Sequence, residues 1–323
     1  MRLCLPLLVL LGTYAMPLEA QVRVEKTTWE GHEALKLSNG TVELVVTTGI
    51  GPRIIRYAFA GGENILGELA ATPPTSTALG DWKPWGGHRA WAAPESMPGS
   101  YGPDNGPVQA SVNGRTITLT QPRDAAGLEK QLIVTLADSG TGVTIGHRLT
   151  NRTPFPLDLA AWALTIMNSG GMVLIPNEPY KSHDEALQPV RAIATWAYTD
   201  LSDPRWTFGS KYIRLRTDSS LKASQKVGVA NRRGWAGYLR NGTLFVKRVD
   251  WDDAAAYPDF GVNTETYTAG DFIELETIGP IRRLTPGESV AHEERWSLFK
   301  NVNAGASEEA LDAVLQPLVA QAK

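Results

Sequence analysis

The chain has 323 residues, with 31 Lys and Arg against 34 Asp and Glu, and a formal net charge of −3. That balance provides no basic field for nucleic acid or an anionic membrane surface. The single cysteine, Cys4, falls in an N-terminal segment read as a removable leader, so thiol catalysis, iron–sulfur clusters and cysteine-based zinc sites are excluded from the working protein.

In chain order the leader comes first. Arg2 precedes the apolar run Leu3 to Leu11, and Met16-Pro17-Leu18-Glu19-Ala20 ends on the small residue a signal peptidase prefers. Residues 1–20 therefore read as a signal peptide. The expected location is periplasmic or extracellular after cleavage near Ala20. The run is too short for a membrane anchor, and later apolar stretches are broken by charges, Gly or Pro, so no membrane span is expected.

Beyond Gln21 short alternating runs recur at hairpin spacing. Asn39-Gly40, Asn113-Gly114 and Asn241-Gly242 each sit between two such runs, a strong antiparallel hairpin signal. Further strands are predicted at Arg53 to Ala58, Lys130 to Leu136, Gly142 to Thr150, Leu157 to Met167, Tyr212 to Arg216, Phe272 to Thr277 and Val290 to Phe299. Gly67 to Tyr101, rich in Gly and Pro and holding Trp82, Trp85 and Trp91, is expected to be a long excursion over one sheet face. One helix is predicted, over about 307–322: Ser307 caps it, Glu308 and Glu309 fill its first turn, and Leu311, Val314, Leu315 and Leu318 share a face. Pro317 is expected to bend or interrupt it. With no repeat and no linker, residues 21–323 read as one all-β domain of two large antiparallel sheets.

The residues also carry a resemblance. Gly49-Ile50-Gly51-Pro52-Arg53-Ile54-Ile55-Arg56-Tyr57, followed by Gly61-Gly62-Glu63-Asn64-Ile65-Leu66, resembles the early strands of galactose mutarotase-like (aldose 1-epimerase) proteins. Trp85-Gly86-Gly87-His88-Arg89-Ala90-Trp91-Ala92-Ala93-Pro94-Glu95 resembles the Gly-Gly segment that lines their sugar site. Thr150 to Thr153 with Pro156 to Leu159 resembles their central strand pair. Ile273-Glu274-Leu275-Glu276-Thr277, with Leu284 to Glu288 and Trp296, resembles the closing strands, where a Leu-Glu-Thr element supplies the base. The likeness covers most of residues 21–323 and is strongest to an exported bacterial branch bearing Gly-Gly-His-Arg. It implies a β-supersandwich of the galactose mutarotase type and a carbohydrate ligand. Two departures stand out. Trp162 occupies about the place of the family's acid histidine, and Ser100-Tyr101-Gly102-Pro103 replaces a His-Gly-Phe element, so ordinary mutarotase chemistry is not implied.

The candidate site follows from the residues and the resemblance together. Glu276 and His88 are the candidate catalytic pair, since ring opening needs one group to take a proton and one to give it. Arg89, Trp85, Trp91, Trp162, Lys247, Asp259 and Glu265 are candidate substrate contacts: guanidinium and ammonium groups donate charged hydrogen bonds, and an indole covers a sugar's apolar face. For His88, Arg89 and their neighbours the alternative is a loop pinned by structural hydrogen bonds; for Glu276 it is a solvent-facing strand carboxylate. Lys247 and Arg248 face opposite ways, so only one can enter a cleft. Asp259, Asn263 and Glu265 could bind hydroxyls or a hard cation such as calcium, and a polar turn is the plainer reading of each. No cofactor is predicted. His32, His147 and His292 lack metal-ligand spacing.

Three functions remain open: a carbohydrate-active, epimerase-like or glycan-active enzyme on a non-phosphorylated sugar; a non-catalytic sugar-binding module; and a structural cell-envelope protein whose tryptophans are core. Oligomeric state is not readable.

Overall fold

A computed structural model describes residues 22–305 and 307–322, so the leader lies outside the described residues. Strands dominate because the sequence alternates between apolar and polar positions, and two large antiparallel sheets bury their facing sides against each other. The first sheet pairs, in spatial order, Arg23–Trp29, His32–Ser38, Val42–Thr47, Arg53–Phe59, His88–Ala93, Leu157–Met167, Phe272–Ile278, Thr264–Ala269, Gln225–Val229 and Ile193–Thr195. The second runs Gln109–Asn113, Thr116–Gln121, Leu128–Leu136, Val143–Asn151, Ser289–Phe299, Thr243–Arg248, Trp235–Arg240, Met172–Pro176, Tyr212–Arg216 and Trp206–Phe208.

All three Asn-Gly pairs join hairpin strands. At Asn39 the side chain accepts from the amides of Thr41 and Val42 at 3.0 and 3.1 Å, and so fixes the turn.

The Gly67 to Tyr101 segment departs from the expected loop. It contains short strands, and His88–Ala93 is an inner strand between Arg53–Phe59 and Leu157–Met167. The Gly and Pro content that hides this strand is concentrated just outside it. Gly87, at φ +68°, passes so close to its neighbour that a Cβ would lie 2.3 Å from the Ile54 carbonyl oxygen. Only glycine permits that approach, and the strand enters the sheet there.

The C-terminal helix spans Glu308–Gln321, with the Ser307 hydroxyl accepting from the Ala310 amide at 3.2 Å. Leu311, Leu315 and Val319 bury one stripe against the outer side of the second sheet, beside Leu174 and Trp235. The helix continues past Pro317 without interruption, over the predicted range, and this stripe holds both halves against the same sheet.

Candidate functional site

Alternation along the inner strands of the first sheet sorts polar residues between two faces. His88, Thr165 and Thr277 point between the sheets, whereas Arg89, Trp91, Trp162, Glu274, Glu276 and Glu265 point to the opposite face. That outer face floors a cleft of about 390 Å³, within the roughly 300–1,000 Å³ of small-molecule sites. Trp82, Trp91, Trp162 and Trp196 wall it, Arg89, Glu95 and Lys226 provide charge, and the Glu274 carboxyl lies beside them.

Lys226 anchors the floor. Its ammonium lies 2.7 Å from Glu265 and 3.3 Å from Glu276, between the rings of Trp162 and Trp196 at 4.6 and 4.8 Å. Although burial opposes the charge, Glu276 and Glu265 hold the ammonium well above the ordinary lysine range. Burial pushes the Glu265 carboxyl up; Lys226 opposes this and Glu276 adds to it. Trp162 Nε1 donates to Glu276 Oε2 at 2.8 Å, and Glu276 Oε1 has no protein partner. Glu274, two residues earlier on the same face, is raised to about 8, first by desolvation and then by the charge of Glu276. Burial thus favours its protonated form. Glu95, across the cleft, accepts from the Tyr101 hydroxyl.

The expected site residues are dispersed. Arg89, Trp91 and Trp162 line the cleft, and Glu276 and Glu265 lie under it, tied to Lys226. Trp85 packs edge-on against Trp29 and His32, and its Nε1 donates to Asn105 at 2.9 Å, away from the cleft. Asp259 sits in the turn Pro258–Gly261, near enough for its charge to act on Glu265. Asn263 bonds the backbone of Asn231 in both directions.

His88 and Lys247 lie between the sheets, fully buried. Lys247 Nζ donates to Thr165 Oγ1 at 2.6 Å, the Leu275 carbonyl at 3.0 Å and Glu294 Oε1 at 2.9 Å. With that hydroxyl accepting from Lys247, its own hydrogen goes to His88 Nδ1 at 2.8 Å. His88 Nε2 then donates to His147 Nε2 at 2.7 Å, and His147 Nδ1 to the His292 carbonyl at 3.0 Å. Trp296 Nε1 donates to Glu294 Oε2 at 2.9 Å. The network is closed with every imidazole neutral. Burial lowers His88, His147 and His292, the last to about 3. Burial would raise Glu294, yet Lys247 holds it well below the carboxylate range. Ligand atoms of His88, His147 and Glu294 lie within 4.8 Å of one another. A divalent ion there would displace the shared proton and add two positive charges beside the Lys247 ammonium, which nothing in the core balances.

Sequence reasoning missed Lys226, Glu274, Glu95 and Trp196. Glu274 carried a signal, since it shares a strand face with Glu276. Lys226 carried none, because nothing local marks Gln225–Val229 as neighbouring the closing strands.

No family model matches the sequence, and no curated protein does. Solved structures are similar in fold. One is a TPR-domain containing protein from Parabacteroides distasonis, at TM-score 0.57 and 14% identity over 86% of this chain, which spans about half (49%) of that protein. A candidate mutarotase from Salmonella typhimurium aligns at TM-score 0.54 and 11% identity over 86% of this chain and 94% of its own. A candidate aldose 1-epimerase from Escherichia coli K12 aligns at 0.52 and 11%, over 86% and 99%.

Proposed function

We propose that this chain, which has the galactose mutarotase-like fold, is an exported protein that binds a non-phosphorylated sugar or glycan fragment in the tryptophan-walled cleft. There Glu274 and Glu276 serve as acid and base at an anomeric centre. The observation that carries this reading is two carboxyls on one face of one strand beneath a cluster of indoles. Residues i and i+2 of a strand stand about 6.6 Å apart. A hemiacetal O–C–O unit with a hydrogen bond of about 2.7 Å at each end spans that gap.

In ring opening, Glu276 Oε1, buried beneath the cleft and without a protein partner, takes the proton of the anomeric hydroxyl. Glu274 gives its proton to the ring oxygen as the C1–O bond breaks. Closure on the other face of the aldehyde returns both protons and yields the other anomer. The leader expected at residues 1–20 supports free sugars over phosphorylated ones as ligands.

One observation favours a second reading, a non-catalytic sugar-binding module: Glu276 Oε2 is held by Trp162 and Lys226, and among the described residues no histidine lines the cleft. NMR saturation transfer between anomers decides. The wild type should accelerate exchange, and Glu274→Gln and Glu276→Gln should lose it while retaining saturable binding. Saturable binding without exchange in the wild type would leave the module. No sugar bound on a broad glycan array would sink both.

A further inference from the structure

Six lysines and arginines are buried among the described residues: Arg53, Arg89, Lys130, Arg205, Lys226 and Lys247. Five of them hold a carboxylate at 3.0 Å or less: Arg53 with Asp104, Lys130 with Asp124, Arg205 with Asp203, Lys226 with Glu265 and Lys247 with Glu294. Arg89 forms no such pair. It is 3% exposed, lies between the rings of Trp82 and Trp91 at 4.7 and 4.3 Å, and faces the cleft. Its one protein hydrogen bond is a long one, Nη1 to the Pro84 carbonyl at 3.4 Å, and its Nε has none.

Neighbouring carboxyls do not fill the gap. Asp104 is already engaged by Arg53 at 2.6 Å. Glu276 belongs to the same cross-strand row, with Leu164 between, about 10 Å away at two strand spacings. Glu274 acts on Arg89 only at a distance, with no ion pair between them, and burial favours its protonated form. A buried guanidinium without a counter-charge is unfavourable, and the indoles offset only part of that.

We infer that Arg89 receives the carboxylate of an acidic sugar, so that the cleft selects uronates over neutral hexoses. This rests on the carbohydrate reading above. A guanidinium offers a flat fork to a carboxylate, with two parallel hydrogen bonds. One unpaired cation matches one negative charge. A phosphate dianion would meet Glu95 and Glu276 with no second free cation, since Lys226 is held by two carboxylates.

Calorimetric titration of the whole protein at pH 7 tests this, using D-glucuronate, D-galacturonate and digalacturonate against D-glucose and D-galactose, with glucose 6-phosphate as a separate anion. A uronate should bind about 10- to 100-fold tighter than its parent hexose. The ratio should fall toward one in Arg89→Gln. Should that variant not fold, Arg89→Lys keeps a charge against the indoles but lacks the fork, and should lose most of the preference; an unchanged ratio would overturn the inference. Equal or tighter binding of the neutral hexose overturns it and leaves the carbohydrate reading standing. Tighter binding of glucose 6-phosphate overturns it in favour of phosphate. No binding of any of these ligands overturns the inference, and the carbohydrate reading then stands or falls on the glycan array.

Discussion

Replacing Glu294 by Gln preserves shape but removes the carboxylate paired with Lys247 across the inter-sheet core. Lys247 is fully buried and 2.9 Å from Glu294. Its other two acceptors, Thr165 Oγ1 and the Leu275 carbonyl, are neutral. Breaking such a buried pair from one side costs about 3–5 kcal/mol, because the remaining ion is left without water or counter-charge. At this chain length 1 kcal/mol shifts Tm by about 2 °C, so E294Q should melt ~6–10 °C lower. K247M should show a loss of similar size, since Glu294 is then the orphan. The double variant E294Q/K247M should be more stable than either single, with a coupling of at least about 2 kcal/mol. Urea unfolding followed by far-UV dichroism on all four proteins measures the cycle. Additive losses, or an E294Q shift below about 2 °C, would refute the claim that this ion pair is held in a dry core.

Acid stability should expose opposing groups. Three imidazoles are kept neutral by burial, so their contribution is complete above about pH 6.5 and fades as pH falls, because the unfolded chain binds protons they refuse. Glu274 works the other way: its folded pKa of about 8 gives a contribution complete below the unfolded carboxylate range and lost as pH rises through about 8. Removing it in E274Q should steepen the loss of stability between pH 6.5 and 5 by up to about 1.4 kcal/mol per pH unit, seen in Tm against pH. An unchanged slope would mean that Glu274 is ionised in the folded state. Gly87→Ala, with a positive φ and a backbone oxygen 2.3 Å from the new Cβ, should lower stability by roughly 3 kcal/mol or more. Wild-type cooperativity and midpoint in urea would contradict that close approach. Lys226→Met leaves Glu265 and Glu276 buried together without a cation, and should cost about 3–5 kcal/mol at pH 7; a smaller deficit at pH 5, where the Glu265 carboxyl that burial pushes up takes a proton more readily, would confirm the cause.

What the sequence revealed follows from how local each signal is. Asn-Gly turns and period-two runs depend on adjacent residues, and so the hairpins at Asn39, Asn113 and Asn241 and the long strand Leu157–Met167 could be read directly. Ser307 was legible as a cap for the same reason. Strand His88–Ala93 was not, because its identity comes from partners distant in the chain, in the pairs Ile54↔His88 and Leu164↔Arg89 on either side, and its flanks resemble a loop. The same alternation rule that divides Lys247 from Arg248 also divides His88 from Arg89. With a strand in place of a loop there, alternation alone places the imidazole and the guanidinium on opposite faces. Lys226 and Trp196 enter the cleft through pairings across the sheet, and no local pattern announces them.

The alternation of His88 inward and Arg89 outward also guards the fold against misalignment. A slip of one residue in this inner strand would carry the guanidinium into the space between the sheets, beside the Lys247 ammonium, and would turn the imidazole out among the indoles. The wrong pairing would lose the proton chain and confront two cations at once. Segments rich in short, similar strands have many near-equivalent ways to align, and here a single charged residue next to a neutral one makes the competing alignment far more costly than the correct one.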